Sequence, residues 1–425
     1  MDPSPSTLCV GADVHLDAIV LRAVDKSSGS EVCSRFQEPN NRPGAQAIAR
    51  RIAQIATEGG FTHIEMAWEA TGLLWVPFHR LLSTCPELRP FKLKLVCFNP
   101  KLVSKFQDAF VLRESKSDVR DAWDMATRLR FGVLPISYVP SDFWQGLRRL
   151  TRYRYQLSRI LSREELRFES YAFLKASDWK RVKPFSDFFG ATSVTLLTEY
   201  TVAQLVALPH DQMVELITRR GRGSFEDPAA TARRVQEALQ SSYPIDPQMD
   251  EMVTATLSAS GEHIHQIKRV MDRLDRQIAR FIAPMPNPLL TVRGLGAVIT
   301  AGLLAEIVDI KRFKEHAQMA QYVGLTWPKR SSGAFVSQNS RMTKVGNVYL
   351  RYYLVLGADQ LRRSELKYQE FYQRKHAEVT THQHKRALVL TARKLVRLVH
   401  ALLTDNKSYT RPQTINDTTE AGGSK

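Results

Sequence analysis

Strand-like and helix-like hydrophobic patterns are distributed unevenly along this chain of 425 residues. Residues 7 to 37 contain three short apolar runs, TLCVGADVH, DAIVLRAVD and EVCSRFQEP. Turn residues separate these runs, which predicts two successive β-hairpins with Gly29 in the second turn. A helical period occurs in three segments: residues 43 to 58, GLLWVPFHRLLS and residues 101 to 130. Two further segments are strand candidates, HIEMAWEAT and KLKLVCFNP. Early strands followed by alternating helix and strand predict an α/β domain with a mixed sheet over residues 1–140.

The rest of the chain is predicted to be helical. Residues 141–285 contain eight apolar residues in a seven-residue rhythm: Val253, Leu257, Ile264, Ile267, Met271, Leu274, Ile278 and Phe281. This rhythm is typical of a coiled coil, within one chain or between two. Residues 286–404 are predicted to form a mainly helical C-terminal domain, in which RGLG before an apolar helix is like a helix-hairpin-helix element that can face a phosphate. The polar residues 405–425 are predicted to be a disordered tail.

The charge of the chain favours nucleic acid as its partner. With 60 Lys and Arg against 43 Asp and Glu, the net charge is +17, as expected for a protein that binds an anionic polymer. No apolar run reaches the roughly 18 residues of a membrane span, and the N-terminus does not resemble a secretory signal. The four cysteines have no CxxC spacing and are predicted to be thiols in a reducing cytoplasm.

Four arginines of the helical middle region are spaced to share one helical face: Arg148, Arg152, Arg159 and Arg163. We call this set the arginine stripe. Tyr153 and Tyr155 are interleaved with it. A basic stripe with aromatic residues predicts binding to a phosphate backbone and stacking on bases. The alternative is a solvated, arginine-rich face without a ligand.

Carboxylates of the predicted α/β domain form a candidate metal site. Asp13 falls near the end of the first strand, Glu69 ends the later strand in WEATG, and Asp118 and Asp121 are three residues apart on one helical face. This layout is typical of RNase H-like nuclease folds. Carboxylate oxygens are ligands that Mg²⁺ prefers, and two such ions roughly 4 Å apart can activate phosphodiester oxygens. Surface or capping roles are the alternative, and three other acids compete for the assignment: Asp17, Glu65 and Asp124.

These segments carry a family resemblance. GADVHLDAIV, WEATG, CFNPKLV and KSDVRDAWDMA resemble the N-terminal motifs of a bacterial insertion-sequence transposase family. RGLGAVITAGLLAEI, FKEHAQMAQYVGLTWPKRSSG and KVGNVYLRYYLVLGA resemble its C-terminal domain, and the middle matches only in helical character. The resemblance implies a RuvC-like domain whose DEDD tetrad, here Asp13, Glu69, Asp118 and Asp121, binds Mg²⁺. It also implies a bridge-RNA-guided recombinase, in which a structured noncoding guide RNA pairs with donor and target DNA.

The resemblance also implies a catalytic serine in the segment TWPKRSSGAFVSQNSRMTKVGN. The nucleophile would be Ser332, the serine before the glycine, with Ser331 as the alternative. Gly333-Ala334 replaces the family's usual glycine-lysine, so the positive charge would come from one of three other residues: Arg330, Arg341 or Lys344. A serine needs activation by a base, a charge or a metal, and a basic loop would stabilise the charge that develops on a phosphate. Without the resemblance, the serine doublet would be assigned to a surface turn.

Three functions follow as hypotheses. The first is a DNA transposase that cuts and rejoins DNA through a serine–DNA covalent intermediate, and the joint presence of the acids and the C-terminal motif favours it. The second is a metal-dependent, structure-selective nuclease similar to junction resolvases, and the third is a non-catalytic RNA-binding protein. The first implies double-stranded DNA at the element junction and target as substrate, in a bacterial cytoplasm near the nucleoid. Because recombination cuts four strands, we predict a dimer that pairs into a tetramer through the heptad helix.

Overall fold

The computed structural model describes residues 6–98, 118–132, 138–327, 331–332, 335–336 and 342–411. The chain divides into two compact units, Met1–Pro140 and Ser141–Lys425. The predicted division of the second unit at residue 286 remains a prediction. No helix within these described ranges is both long and apolar enough to cross a membrane.

The first unit is built on a mixed five-stranded sheet, which confirms the predicted α/β fold. Its strands are β1 Thr7–Val14, β2 Ala18–Asp25, β3 Glu31–Pro39, β4 His63–Glu69 and β5 Lys92–Phe98. Their order is β3-β2-β1-β4-β5, with β1, β2 and β3 antiparallel and with β4 and β5 parallel to β1. Three described helices accompany them: α1 Arg42–Glu58, α2 Trp75–Thr84 and α3 Asp118–Phe131.

The two faces of this sheet are covered by different helices. Leu8, Val10 and Ala12 of β1 pack in the core that includes α1, whereas Cys9 packs with Met125 and Ala126 of α3. Successive residues of a strand point to opposite faces, so the odd-numbered residues of β1 face α3. Helix α3 approaches β1 closely at Gly11, where an added Cβ would lie 1.9 Å from the carbonyl oxygen of Ala122.

The second unit is almost entirely helical in the part that the structure describes. Its first seven helices are α4 Asp142–Lys175, α5 Trp179–Val182, α6 Ala191–Glu199, α7 Val202–Ala207, α8 His210–Gly221, α9 Pro228–Gln240 and α10 Pro247–Ile282. The remaining helices are α11 Ala297–Ile307, α12 His316–Val323, α13 Val348–Ser364, α14 Leu366–Ala377 and α15 Gln383–Asp405. Two short strands, β6 Ser331–Ser332 and β7 Phe335–Val336, pair antiparallel between α12 and α13.

The predicted heptad segment packs within one chain. It forms most of α10, which lies antiparallel to α4. Ser260 donates a hydrogen bond of 2.6 Å to Glu164, and Arg154 of α4 pairs with Asp275 of α10 at 2.6 Å. Most of the heptad residues are buried in this contact, whereas Phe281 is 40% exposed. The apolar face of this helix thus packs within the chain. The contact between two chains that the sequence also predicts for this helix remains a prediction.

The C-terminal part of the second unit packs around α11, α13 and α15. Gly302 lies against the ring of Tyr353, where an added Cβ would be 2.3 Å from the ring atoms. A 3-10 turn, Pro288–Thr291, precedes the predicted glycine turn, in which Gly294 has a φ of +99°. Residues 406–411 belong to the predicted disordered tail, yet the Tyr409 N–H donates to Thr291 Oγ1 at 2.7 Å.

Candidate metal centre

Two of the predicted acids lie side by side at one edge of the sheet. Asp13 is the penultimate residue of β1, and Glu69 is the last residue of β4. The two strands are parallel and Ala12 pairs with Trp68, so the two acids are the next residues along each strand. Both have the strand parity of residues that pack against α3, since Cys9 and Ala67 share that core.

Helix α3 brings the other two acids to this face. Asp118 is its first residue and Asp121 lies in its first turn, where the helix dipole stabilises negative charge. The helix can lie this close to β1 because Gly11 has no side chain. An added Cβ there would approach the backbone nitrogen of Ala126 to 2.4 Å. Local sequence pattern placed each acid on its element, and this close packing brings the elements together.

His15 joins the cluster and was missed by the sequence analysis. Its Nε2 lies 2.9 Å from Asp13 Oδ2 and 3.4 Å from Asp118 Oδ1. Ligand atoms of Asp13, His15 and Asp118 all lie within 4.8 Å of one another. The signal was present in GADVH, because a residue two positions after Asp13 projects toward the same face of an extended chain.

The charges of this cluster are mostly of one sign. Burial raises the pKa of Asp13, the hydrogen bond and charge of His15 oppose the rise, and the charges of Asp118 and Glu69 add to it. Burial disfavours the charged form of His15, but its bond to Asp13 and the nearby carboxylates outweigh burial and raise the pKa of His15. A bound cation would stabilise the charged form of Asp13 against its burial and the like charges around it.

A buried arginine stands behind the acids. Arg128 is 2% exposed, and burial lowers its pKa, whereas the charges of Asp124, Glu69 and Asp121 oppose that fall. The sequence analysis did not single out Arg128, and its position two turns after Asp121 on α3 was the available signal. Because the charges of Asp124, Glu69 and Asp121 all act on Arg128, this arginine does not separate Asp124 from the predicted acids.

The competing acids have other surroundings. Glu65 Oε1 accepts from Lys26 at 3.0 Å and lies 3.4 Å from Lys94 Nζ, so two lysines already neutralise it. Asp17 is exposed in the β1–β2 turn. Glu69, by comparison, lies at the end of β4 and accepts a hydrogen bond of 2.7 Å from the Thr71 hydroxyl.

The donor set fits a divalent cation. Carboxylate oxygens suit Mg²⁺ and Mn²⁺, and an imidazole nitrogen is an additional ligand for transition metals. Asp13 is partly buried, with a side chain that is 20% exposed, while Asp118 is 60% exposed and accessible from solvent. The cluster thus offers one sheltered carboxylate and one side that is open to solvent.

The predicted arginine stripe divides into two halves. Arg148 Nε donates to the Ala305 carbonyl at 2.9 Å, and Arg152 Nε donates to Glu306 Oε1 at 2.6 Å. Arg159 and Arg163 are exposed on the same helix. The half near residue 150 is therefore engaged within the second unit, although 36% of the Arg152 side chain remains exposed, whereas the half near residue 160 is exposed.

The residues of the predicted serine site lie in the second unit. Ser331 pairs with Val336 and Ser332 with Phe335 in the two-stranded hairpin. Lys344 has a φ of +52°, and its carbonyl accepts from Arg351 at 3.1 Å. Arg330 and Arg341 lie outside the described residues.

Comparison with protein families identifies both ends of the chain. A model for the DEDD domain of IS110 elements, described as a transposase, matches residues 10–174, which include the acid-lined sheet. A second model, described as the transposase IS116/IS110/IS902 family, matches residues 287–373, which include the serine hairpin. The two matches occur in chain order and together span more than half of the chain.

Individual relatives agree with this result. The chain is 25% identical over 322 residues to the insertion element IS116 uncharacterized 44.8 kDa protein of Streptomyces clavuligerus, covering 72% of this chain and 75% of the relative. It is also similar to the insertion element IS110 uncharacterized 43.6 kDa protein of Streptomyces coelicolor, with 28% identity over 161 residues, 37% of this chain and 38% of that relative.

The mixed sheet with its acidic edge and the helical remainder define a transposase with a RuvC-like DEDD domain. Such a domain implies dependence on a divalent metal and DNA as the substrate. This chain belongs to the insertion-sequence transposases of the IS110/IS116/IS902 family.

Proposed function

We propose that this transposase cuts and rejoins DNA through a serine–DNA covalent intermediate, with Mg²⁺ bound by the acids of the first unit. The convergence of Asp13, Glu69, Asp118 and Asp121 on one face of the sheet carries the metal part of the proposal. The position of the serine doublet inside the segment that matches the family's C-terminal domain supports the serine part.

In the proposed reaction, Ser332 Oγ attacks the phosphorus of a phosphodiester. A phosphoserine ester bond forms, the bond from phosphorus to one deoxyribose oxygen breaks, and the serine proton is transferred so that the departing oxygen leaves as a hydroxyl. Attack by a deoxyribose hydroxyl of another strand reverses these steps and rejoins the DNA. Because the phosphate remains in ester linkage throughout, the exchange needs no external energy source.

The residues of the chain have separate roles in this proposal. Asp13, Glu69, Asp118 and Asp121 hold the metal, and His15 orients Asp13 through its hydrogen bond. Bound Mg²⁺ supplies Lewis-acid stabilisation of phosphate charge. Lys344, together with Arg330 and Arg341, is proposed to balance the negative charge of the phosphate.

The proposed partners are double-stranded DNA, at the element junction and at the target, and a structured noncoding bridge RNA that guides the choice of site. The net charge of +17 and the exposed half of the arginine stripe, Arg159 and Arg163, support a nucleic-acid surface. We further propose a dimer that pairs into a tetramer, acting near the nucleoid. Light scattering of the protein with and without nucleic acid tests the assembly, and a monomer in both samples would contradict it.

A covalent-trapping assay tests the chemistry. The protein, RNA transcribed from the DNA flanking its gene, Mg²⁺ and labelled element-junction DNA are mixed, and the products are separated on a denaturing gel. We expect a slow, protease-sensitive DNA band that disappears in Ser332→Ala and Asp13→Asn and persists in Ser331→Ala. Persistence in Ser332→Ala with loss in Ser331→Ala would move the nucleophile to Ser331. Omitting the RNA tests whether a guide is required.

A metal-only nuclease is the second candidate function, because the four acids lie in one unit and ligand atoms of Asp13, His15 and Asp118 lie within 4.8 Å of one another without any serine. In that case water attacks the phosphate. The same gel would show cleaved DNA with no protein-linked band, and cleavage would be lost in Asp13→Asn but not in Ser332→Ala. A non-catalytic RNA-binding protein would show neither product, and its binding would be unaffected by Asp13→Asn.

A further inference from the structure

The hairpin with the two serines is inserted into a closed stem. We define the stem as residues 322–326 and 343–347. The Thr343 N–H donates to the Thr326 carbonyl at 3.0 Å, and the Asn347 N–H donates to the Tyr322 carbonyl at 2.8 Å. The backbones touch at Gly346, where an added Cβ would lie 2.3 Å from the Tyr322 oxygen. The two ends of the intervening segment are thus fixed against each other.

A buried carboxylate lies directly below this stem. Glu306, near the end of α11, is completely buried. Its oxygens accept from Arg152 Nε at 2.6 Å, from a second Arg152 nitrogen at 2.9 Å and from Asn347 Nδ2 at 2.7 Å. The Arg152 guanidinium also stacks over the ring of Tyr349 at 4.3 Å. The carboxylate therefore joins three segments: α4, α11 and the end of the stem.

Asn347 is the connection between this carboxylate and the stem. Its Oδ1 caps α13 by accepting from the N–H groups of Tyr349 and Leu350, both at 3.0 Å. Its Nδ2 donates to Glu306 and lies 3.2 Å from the Tyr322 hydroxyl. Helix capping alone would need only the oxygen, and serine or aspartate provides it equally well. The amide nitrogen is what the link to Glu306 requires.

Burying this ion pair is costly. Taking the Glu306 carboxylate fully out of water, and the Arg152 side chain partly, costs several kcal/mol, and apolar residues of similar volume hold helices together at least as well. What a satisfied buried network adds is a single geometry, because each hydrogen bond has a defined length and direction. The hydrogen bonds of Glu306 to Arg152 and Asn347 therefore fix the position of the stem relative to α4 and α11.

We propose that Arg152, Glu306 and Asn347 form a positioning network that fixes the stem and thereby the segment that carries Ser331 and Ser332. The inference rests on the proposed serine chemistry for its effect on rate. The three residues touch neither substrate nor metal in this role and act through the stem. The network also gives the Arg152 guanidinium its partners within the second unit. The nucleic-acid contact that the sequence predicts for Arg152 remains a prediction.

The test replaces the link and retains the cap. In Asn347→Ser, the hydroxyl can still cap α13, but the shorter side chain lacks the amide nitrogen that reaches Glu306. The matched control is Asp246→Ser, because Asp246 caps α10 through the N–H groups of Gln248 and Met249, remote in sequence from the stem. Four quantities are measured in the full-length protein: the unfolding temperature, hydrogen exchange of peptides covering the stem, the half-saturating concentration of junction DNA, and the rate of the protein–DNA adduct at saturating junction DNA.

We expect Asn347→Ser to accelerate exchange of the stem amides and to lower the adduct rate about tenfold or more, as misplacement of a reacting group does. The half-saturating DNA concentration and the unfolding temperature are expected to stay close to those of Asp246→Ser. A purely structural role would instead lower the unfolding temperature and leave the rate of the folded fraction unchanged. Exchange and rate equal to those of the control would overturn the inference.

A paired exchange of charge gives a second test. Asn347→Asp places a carboxylate against Glu306, and we expect it to lower the rate and accelerate exchange. Adding Glu306→Gln restores a donor and an acceptor at the contact with the same net charge, so the double variant is expected to recover both quantities at least in part. No recovery, with both proteins folded, would contradict the network. If the wild type forms no adduct, the serine chemistry fails, and hydrogen exchange decides the positioning inference by itself.

Discussion

The two units use charged residues in opposite ways. In the first unit, Asp13, Glu69 and Asp118 gather at the end of the sheet, where burial and the like charges of its neighbours raise the pKa of Asp13. In the second unit, Glu306 is buried against Arg152 and is fully satisfied by hydrogen bonds. Carboxylates that destabilise one another indicate a site that binds a cation, whereas carboxylates paired with opposite charge indicate a structural connection. The charge of the neighbouring side chains therefore distinguishes a candidate metal-binding carboxylate from a structural one.

The largest effect on stability is expected where the buried pair is broken. Glu306→Ala leaves Arg152 and Asn347 without their acceptor inside the second unit, and we expect it to cost about 4 kcal/mol of unfolding free energy. Chemical denaturation measures this loss. Asp13→Ala, which also removes a carboxylate, is the control and is expected to cost far less without metal. Equal losses of unfolding free energy in the two variants would contradict the different roles assigned to Glu306 and Asp13.

The next effect concerns the packing that assembles the acidic site. Gly11→Ala would place a Cβ 1.9 Å from the Ala122 oxygen and 2.4 Å from the Ala126 nitrogen, both in the backbone of α3. We expect a loss of about 3 kcal/mol and of metal binding, because α3 must move away from β1. Gly146→Ala in α4 is the control, since no atom lies within 4 Å of its added Cβ. That control is expected to be neutral or stabilising by up to about 1 kcal/mol. Denaturation and Mg²⁺ titration distinguish these outcomes.

Asp13→Asn is expected to separate activity from stability in the first unit. The isosteric amide removes one charge from a group of like charges, so the metal-free protein should be as stable as the wild type or more stable. DNA cleavage should fall about a hundredfold or more, because a central metal ligand is lost. Thermal unfolding with and without Mg²⁺ and a cleavage assay measure both. A variant that is strongly destabilised in the absence of metal would show that Asp13 supports the fold.

The smallest effect is a pH dependence of metal binding that involves His15. Burial lowers the pKa of His15, but its bond to Asp13 and the nearby carboxylates outweigh burial and raise the pKa above the ordinary value, so His15 becomes cationic at a higher pH than a free histidine. A cationic His15 repels a metal ion and forms an ion pair with the Asp13 carboxylate. The affinity for Mg²⁺ is therefore expected to fall about tenfold when the pH is lowered from about 8 to about 6. Calorimetric titration should show a weaker dependence in His15→Ala. His63→Ala, at the opposite end of the sheet strands, should leave it unchanged.

Much of the first unit could be predicted from the sequence. Strand candidates in residues 7 to 37, the helix at residues 43 to 58 and the later strands are all found, because each shows its own local period. The end positions of Asp13 and Glu69 on their strands were likewise readable. What the sequence did not separate was Glu65 from Glu69. Both have the same parity on β4, and only the neighbouring strands show that Lys26 and Lys94 neutralise Glu65.

The sequence by itself determined which elements form and which residues share a face, since hydrogen-bonding geometry makes the strand period two and the helix period 3.6. Only the tertiary structure decided what each face meets. The four arginines of the stripe share one side of α4, yet Arg152 meets buried Glu306 while Arg159 meets solvent. In the same way, α3 meets β1 at Gly11, and His15 meets Asp13 and Asp118. Periodicity repeats along one element, whereas the partner of a charged side chain comes from a distant part of the chain.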